Sequence, residues 1–166
     1  MNIILVGFMG SGKTTIARIL SRRHSLRFID TDKLIERKEG LTIPEIFDKK
    51  GENYFREIEK QLIQEQLKYC DNCVIATGGG MPCFFNNMDR LKSIGWVVYL
   101  KTSFEVSKKR AMLSKDRPLF KNEKRAKDLY DKRVGCYKKA HFIVDADKDK
   151  DITVAEIEKK LFGEGL

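Results

Sequence analysis

Short apolar runs, most of them rich in β-branched residues, alternate with longer amphipathic segments along this chain. The runs predict strands at residues 2–7, 27–29, 74–76, 96–100 and 141–144. The amphipathic segments predict helices at about residues 12–23, 51–69, 103–113, 124–139 and 153–162. Strands that alternate with helices are typical of right-handed βαβ units. We therefore predict an α/β protein with three αβα layers, in which helices cover both faces of a five-stranded parallel sheet.

Two segments do not fit this alternation. Residues 31–59 lie between the second and third strands and are rich in helix formers, and residues 113–123 are polar around Arg117 and Pro118. Ligands of open α/β sheets bind beyond the carboxyl ends of the strands, where mobile segments often close over them. We predict a single domain, residues 1–166, with a substrate-binding insertion at about 31–59 and a lid at about 113–123.

Residues 7–14 read G-F-M-G-S-G-K-T and match the phosphate-binding pattern G-x-x-x-x-G-K-T between a predicted strand and a predicted helix. The glycines let backbone N–H groups surround a phosphate, and the helix adds the positive end of its dipole. A glycine-rich turn that binds nothing is the alternative, but it does not explain the flanking elements. We predict that Lys13 contacts the β- and γ-phosphates of a nucleoside triphosphate and that Thr14 ligates Mg²⁺. The predicted ATP-binding residues of this loop are Gly10, Ser11, Gly12, Lys13, Thr14 and Thr15.

The second predicted strand ends in F-I-D-T-D, which places two carboxylates near its carboxyl end. Alternate side chains of an extended segment point the same way, so Asp30 and Asp32 are expected on one side. Asp30 is then placed to hold Mg²⁺, which prefers oxygen ligands, and Asp32 to orient or deprotonate an attacking hydroxyl. The alternative is that Thr31 or Asp32 caps the helix that follows.

The third predicted strand runs directly into T-G-G-G at residues 77–80. Successive glycines cost conformational entropy, so we predict that Gly78, Gly79 and Gly80 bring backbone N–H groups close to a substrate oxygen. A flexible loop is the alternative. Arg56 lies three residues before Glu59, a helical spacing that lets the carboxylate hold the guanidinium.

The net charge of +9 comes from one part of the chain. Between Lys101 and Lys139 there are 14 Lys or Arg against 5 Asp or Glu, and the remainder balances at 19 against 19. The excess fits either a lid that meets polyanionic substrates or an ordinary solvated helix face. No base-reading motif or set of interleaved aromatic residues accompanies it, so nucleic acid is not expected as a partner.

The sequence also bears on location and redox state. No apolar run approaches the ~20 residues of a membrane span, and a strand is predicted within two residues of Met1, so we expect a cytoplasmic protein without a signal peptide or membrane partner. Cys70 and Cys73 form a lone C-x-x-C without the second pair that a zinc site needs. All four cysteines, including Cys83 and Cys136, are therefore expected to be reduced.

Six features, in this order and spacing, resemble the shikimate kinases over nearly the whole chain. They are residues 7–14, Asp30-x-Asp32, Phe55-Arg56, residues 77–80, Arg117-Pro118-Leu119 and Arg133. The resemblance implies a fold similar to the nucleoside monophosphate kinases and a monomer that phosphorylates the 3-hydroxyl of shikimate with Mg²⁺ and ATP. After Arg133 the chain has V-G-C-Y where the family commonly has small residues and a proline before the tyrosine.

The same resemblance implies roles for individual residues. Asp32, Lys13 and Arg117 are expected to be catalytic, and Arg110 and Arg117 to join the phosphate loop in binding ATP. The residues expected to contact shikimate are Asp32, Arg56, Gly78, Gly79, Gly80, Arg133, Phe47 and Phe55. Other interpretations are a gluconate or nucleoside monophosphate kinase, a nucleotide-dependent switch, and a basic nucleic-acid-binding domain.

Overall fold

The computed structural model describes residues 1–113 and 122–163. Its strands are β1 Ile3–Val6, β2 Arg27–Asp30, β3 Cys73–Ala76, β4 Trp96–Lys101 and β5 Phe142–Asp145. They form one parallel sheet in the order β2-β3-β1-β4-β5. The predicted α/β class and five-stranded parallel sheet are confirmed.

The helices connect these strands. They are α1 Lys13–His24, α2 Thr31–Glu39, α3 Ile43–Lys50, α4 Glu52–Glu65, α5 Asn87–Ile94, α6 Phe104–Met112, α7 Glu123–Tyr137 and α8 Lys150–Phe162. Short 3₁₀ turns at Leu67–Tyr69 and Met81–Cys83 precede and follow β3. The helix predicted at 51–69 therefore ends at Glu65, and α5 was not predicted, because its apolar residues are few and its eight residues give a weak pattern.

The two faces of the sheet carry separate apolar cores, and β1 contributes to both. Ile4 and Val6 pack with residues of α4, α5 and α7, such as Leu62, Leu91 and Tyr137. Ile3 and Leu5 pack on the opposite face with residues of α1 and α8. Because β1 is central and buried on both sides, its side chains are all apolar, which is why the run was readable as a strand.

The segment predicted as an insertion, residues 31–59, folds as α2, α3 and the first part of α4. Helix α3 begins with a capping box, in which Thr42 Oγ1 accepts from the Glu45 N–H and Glu45 accepts from the Thr42 N–H. Helix α4 follows after Gly51, whose φ of +86° gives the tight connection. These helices place the Arg56 side chain against Gly80, shortly after the carboxyl end of β3.

Two further observations concern the whole chain. Among the helices of the described residues, none combines the length and the apolar character that crossing a membrane requires. Cys83 and Cys136 form a disulfide, so the expectation of four reduced cysteines was wrong for these two. Cys70 and Cys73 carry free thiols, as expected. The pairing joins positions separated by 53 residues, a tertiary relation that local sequence does not reveal.

Candidate active site

The loop between β1 and α1 has the conformation that its glycines permit. Gly10 and Gly12 have φ angles of +78° and +91°, in the left-handed region that favours glycine. A Cβ atom on Gly10 would lie 2.5 Å from the carbonyl oxygen of Ser107 in α6, so this position also has no room for a side chain. The loop therefore needs glycine for both its backbone angle and its contact with α6.

Lys13 lies across this loop. Its Nζ donates hydrogen bonds to the carbonyl oxygens of Gly7 at 2.6 Å and Phe8 at 3.1 Å. The buried Ser11 Oγ has no hydrogen-bond partner among the residues described, and Thr14 and Thr15 are exposed on the first turn of α1. A loop of this form presents an ammonium group, hydroxyls and a helix N-terminus to one side, which suits a polyphosphate.

Arg110 in α6 reaches the same loop. Its Nη1 atom lies 3.5 Å from the carbonyl oxygen of Ser11, which places this second cation beside the predicted ATP-binding residues. Elsewhere on the basic helices, Lys108 pairs with Glu123 and Lys127 pairs with Asp131. Part of the positive charge of α6 and α7 therefore belongs to surface ion pairs rather than to a ligand site.

The two aspartates do not share an extended segment, so that part of the prediction was wrong. The strand ends at Asp30, which is the N-cap of α2, and its Oδ1 accepts a hydrogen bond from the Lys33 N–H at 3.2 Å. Asp32 lies in the first turn of α2. The capping alternative was correct in kind, but the cap is Asp30 rather than Thr31 or Asp32. The helix turns the Asp32 carboxylate toward the glycines after β3.

Asp32 lies in a polar but poorly solvated position. Its Oδ1 atom is buried and has no hydrogen-bond partner in the described part of the chain. Burial raises the pKa of the Asp32 carboxyl, the Asp30 carboxylate raises it further, and the positive charges of Lys13 and Arg56 oppose the rise. A carboxylate oxygen that is buried and available is able to accept a proton or a hydrogen bond from a bound hydroxyl.

Three side chains converge on the glycine turn after β3. A Cβ atom on Gly78 would lie 2.5 Å from Asp32 Oδ1, and one on Gly80 would lie 2.5 Å from Arg56 Nη1. A Cβ atom on Gly79 would lie 3.3 Å from Arg133 Nη1 and 3.7 Å from the carbonyl oxygen of Gly7. The glycines are therefore needed because charged side chains approach the backbone, and the alternative of a flexible loop does not explain these contacts.

The Arg56 guanidinium is almost fully buried and is held by two carboxylates. Its Nη1 donates to Glu59 Oε1 at 2.8 Å, and its Nε donates to Glu52 Oε1 at 3.3 Å. Glu59 has no solvent exposure, and its burial raises its pKa to about 7 although Arg56 opposes the rise. The spacing predicted the contact with Glu59. Glu52 was missed, although it lies one helical turn before Arg56, a position that the same rule identifies.

Aromatic rings surround this guanidinium. The exposed Phe47 and the buried Phe55 pack edge to face, with ring centroids 5.0 Å apart. The Arg56 Cζ atom lies 5.9 Å from the Phe47 ring, 5.3 Å from the Phe55 ring and 4.2 Å from the Phe84 ring. Phe47 and Phe55 thus lie beside Arg56, and Phe84, which no motif indicated, lies closer to the guanidinium than either.

Helix α7 brings Arg133 to the same place. The side chain of Tyr137, one turn after Arg133, is fully buried and donates a hydrogen bond from its hydroxyl to the Gly79 carbonyl oxygen at 2.6 Å. Burial raises the pKa of Tyr137 to about 12, so this hydroxyl stays protonated and remains a donor. Tyr137 was not among the predicted site residues. Arg117 and most of the predicted lid, residues 114–121, lie outside the described residues.

The site therefore combines the glycine-rich loop of residues 7–14 with two arginines and an aspartate around a glycine turn. The shikimate kinase family model matches residues 9–162 of this chain. The chain belongs to the shikimate kinase family. Members of this family transfer the γ-phosphoryl group of ATP to shikimate on the route to chorismate and the aromatic amino acids, and the chain is an ATP-dependent phosphotransferase of that kind.

Individual relatives agree with the family assignment. The chain is 42% identical over 156 residues to the shikimate kinase of Sulfurihydrogenibium sp. (strain YO3AOP1), with 93% of each chain covered. It is 40% identical over 167 residues to that of Aquifex aeolicus (strain VF5), covering 100% of this chain and 99% of the relative. The solved shikimate kinase of Acinetobacter baumannii, in complex with shikimate, is similar with a TM-score of 0.89 and 38% identity, covering 98% of this chain and 94% of that one.

Proposed function

We propose that this chain transfers the γ-phosphoryl group of ATP to the 3-hydroxyl of shikimate, giving shikimate 3-phosphate and ADP, at the glycine turn after β3. The observation that carries this proposal is the convergence of Asp32, Arg56 and Arg133 on Gly78, Gly79 and Gly80. The turn also lies next to Gly7, whose carbonyl oxygen accepts from Lys13. An acceptor bound there is within reach of a phosphate bound by the loop.

Each part of shikimate has a matching group. Arginine offers a planar fork of donors that suits a carboxylate, so Arg56 and Arg133 bind the shikimate carboxylate. Phe47 and Phe55 lie beside Arg56 and contact the apolar side of the ring. The Oδ1 atom of Asp32 accepts a hydrogen bond from the reacting hydroxyl. The backbone at Gly78, Gly79 and Gly80 lies against the substrate, because these residues have no side chain to intervene.

The donor site is built on the loop between β1 and α1. ATP phosphates replace the Gly7 and Phe8 carbonyl oxygens as partners of Lys13, and Gly10, Ser11, Gly12, Thr14 and Thr15 supply N–H and hydroxyl groups. Arg110 lies against Ser11 and contacts the nucleotide from α6. Arg117, outside the described residues, is the further cation that the family resemblance assigns to the phosphates.

Two oxygen-bearing side chains fit a magnesium ion. Thr14 is exposed on the first turn of α1, and Asp30 uses Oδ1 to cap α2, which leaves the second oxygen of its carboxylate for a ligand. Within the described residues no group of three or more His, Cys, Asp or Glu side chains could hold a metal ion. Such a group is not needed in a kinase, because Mg²⁺ there is bound mainly by the phosphates and by few protein oxygens. When bound, the ion neutralises charge on the transferring phosphoryl group.

Positioning and charge dominate this chemistry. Phosphoryl transfer has a loose transition state, in which the attacking and leaving oxygens are in line and charge spreads over the phosphoryl oxygens. Lys13 stabilises that charge, and Asp32 fixes the hydroxyl and takes its proton as the new P–O bond forms. We also propose that the enzyme works as a monomer, as the resemblance to the shikimate kinases implies, and in the cytoplasm, where ATP is available. Size-exclusion chromatography with light scattering tests the oligomeric state.

The test of the function is release of ADP by the purified chain with Mg²⁺ and ATP in the presence of different acceptors. Shikimate should stimulate release strongly, whereas gluconate and nucleoside monophosphates should not. Mass spectrometry should then find shikimate 3-phosphate. Turnover on another acceptor without turnover on shikimate would keep the kinase fold and reject the substrate. Arg56→Lys should raise the shikimate KM and leave the ATP KM unchanged, because lysine cannot form a bidentate contact.

A further inference from the structure

The chain after the glycine turn places two consecutive phenylalanines in different surroundings. The 3₁₀ turn Met81–Cys83 leads to Phe84, which is half-buried, and Phe85, which is 46% exposed. The Phe84 ring centroid lies 4.2 Å from the Arg56 Cζ atom. The Phe85 ring lies 4.9 Å from Lys60 Nζ. Only the first of the two aromatic rings therefore contacts the proposed substrate site.

The contact with Phe84 completes the restraint of the guanidinium. Glu59 and Glu52 accept hydrogen bonds from Nη1 and Nε, which fixes the edges of the guanidinium within its plane. Carboxylates at the edge do not prevent the plane from tilting. The Phe84 ring centroid lies 4.2 Å from Cζ, nearer than the Phe55 ring at 5.3 Å or the Phe47 ring at 5.9 Å, so Phe84 resists this tilting most directly. Its attraction to the cation is strongest where water is excluded, as it is for a side chain with 7% exposure.

We propose that Phe84 is a positioning residue that holds the Arg56 guanidinium in the orientation that binds the substrate carboxylate. This inference rests on the proposed function, since it assumes that Arg56 binds the shikimate carboxylate. Arg56 Nη2 makes no hydrogen bond to the rest of the described chain and lies near Gly80, where a Cβ atom would be 2.7 Å away. That nitrogen is the donor that Phe84, Glu59 and Glu52 together leave pointing to the substrate.

The test separates the aromatic face of Phe84 from its bulk. Phe84→Leu keeps an apolar side chain but removes the ring, and it should raise the shikimate KM about 5- to 30-fold, with kcat and the ATP KM within about twofold of wild type. Phe84→Tyr keeps the ring and should restore most of the affinity. Phe85→Leu is the matched control, since it makes the same change at the next residue and should leave the shikimate KM unchanged. Thermal melts of each variant check folding.

A second measurement tests whether Phe84 acts through Arg56. In an Arg56→Lys background, adding Phe84→Leu should change the shikimate dissociation constant by less than about twofold, because lysine has no planar group for the ring to hold. A shikimate KM that stays within twofold in Phe84→Leu, an equal loss in Phe84→Tyr, or a full additional loss in the Arg56→Lys background would each overturn the proposal. Wild-type enzyme that does not phosphorylate shikimate at all would instead reject the proposed function.

Discussion

Asp32 is the residue whose surroundings best explain a role in catalysis. Its buried Oδ1 atom has no hydrogen-bond partner in the described chain, faces Gly78 and lies in the field of Lys13 and Arg56. A buried carboxylate oxygen without a partner is costly for stability, and a bound hydroxyl would supply the missing partner. Lys13 and Arg56 are also the residues proposed to bind phosphate and carboxylate, so Asp32 lies near residues of both proposed binding sites.

Asp32→Asn should lower kcat by about 10²-fold or more. An amide cannot take the hydroxyl proton, and it has one hydrogen-bond-accepting oxygen where the carboxylate has two. Since burial raises the Asp32 pKa, the wild-type carboxyl takes up a proton at higher pH than an ordinary aspartate. The pH at which kcat/KM falls on the acidic side should therefore be higher than the pKa range of ordinary aspartates. This fall should disappear in the variant. Steady-state kinetics from pH 5 to 9 measure both effects, with the exposed Asp48→Asn on α3 as the control. A kcat within threefold of wild type would contradict this role.

Glu59 should make stability depend on pH. Its pKa is about 7 in the folded protein against the ordinary glutamate value of 4.5, so the folded state binds more protons between these values. The free energy of unfolding therefore gains a contribution that is present below pH 4.5 and is lost as the pH rises through 7. Glu59→Gln removes this dependence. The stability of wild type relative to the variant should fall by about 2 to 4 kcal/mol from pH 4.5 to 8.

Urea unfolding at several pH values measures this difference. Glu57→Gln is the matched control on the same helix, because the Glu57 side chain is 46% exposed, and its free energy of unfolding should follow that of wild type throughout. A constant gap between wild type and Glu59→Gln across the range would show that Glu59 does not change its charge there.

At the scale of elements, α7 shows how a departure from the family pattern is accommodated. The chain has Val134, Gly135 and Cys136 where the family commonly has small residues and a proline, yet α7 continues to Tyr137. The continued helix keeps Arg133 and Tyr137 one turn apart, and both reach Gly79. A glycine inside a helix costs stability without adding a contact, so Gly135 is a weak point of this element.

Gly135→Ala should therefore stabilise the protein. A Cβ atom at Gly135 would meet no other atom of the described chain within 4 Å, and alanine favours the helix by about 0.5–1 kcal/mol over glycine. We expect a rise in Tm of about 1–4 °C with an unchanged shikimate KM, measured by calorimetry and kinetics. Gly10→Ala is the contrasting variant and should destabilise, because its Cβ atom would lie 2.5 Å from the Ser107 carbonyl oxygen. A lower Tm for Gly135→Ala would contradict the helix described.

Sequence predicts those elements whose pattern is local. The strands could be predicted because buried parallel strands such as β1 are continuous apolar runs. The loop of residues 7–14 could be predicted because its glycines and its lysine lie close together in the chain. The end of β2 was not predicted, because a helix cap and a continuing strand both suit the D-T-D sequence. In the structure Asp30 is both the last residue of β2 and the N-cap of α2.

At the scale of the whole molecule, residues distant in sequence meet for reasons that local sequence does not show. Arg133 lies near Gly79, and Phe84 contacts Arg56, because the fold brings α4, α7 and the glycine turn together. Family resemblance identified Arg56 and Arg133, but the aromatic and tyrosine partners carried no motif. The bridge between Cys83 and Cys136 is likewise a contact between residues that are distant in sequence. It ties the 3₁₀ turn Met81–Cys83, which directly follows the glycine turn, to α7.

The bridge should stabilise the assembled site. It joins positions 53 residues apart, and a disulfide typically stabilises a folded protein by about 2–4 kcal/mol. Reduction with dithiothreitol, or Cys83→Ser, should therefore lower the Tm by about 4–16 °C, whereas Cys70→Ser, which changes a free thiol, should not.

Thiol titration of the unfolded, unreduced protein checks the pairing: two reactive thiols indicate the bridge and four indicate its absence. Because the bridge lies beside Arg133 and Phe84, reduction should also raise the shikimate KM more than the ATP KM, and an equal rise in both would show that it stabilises the fold without positioning the substrate site.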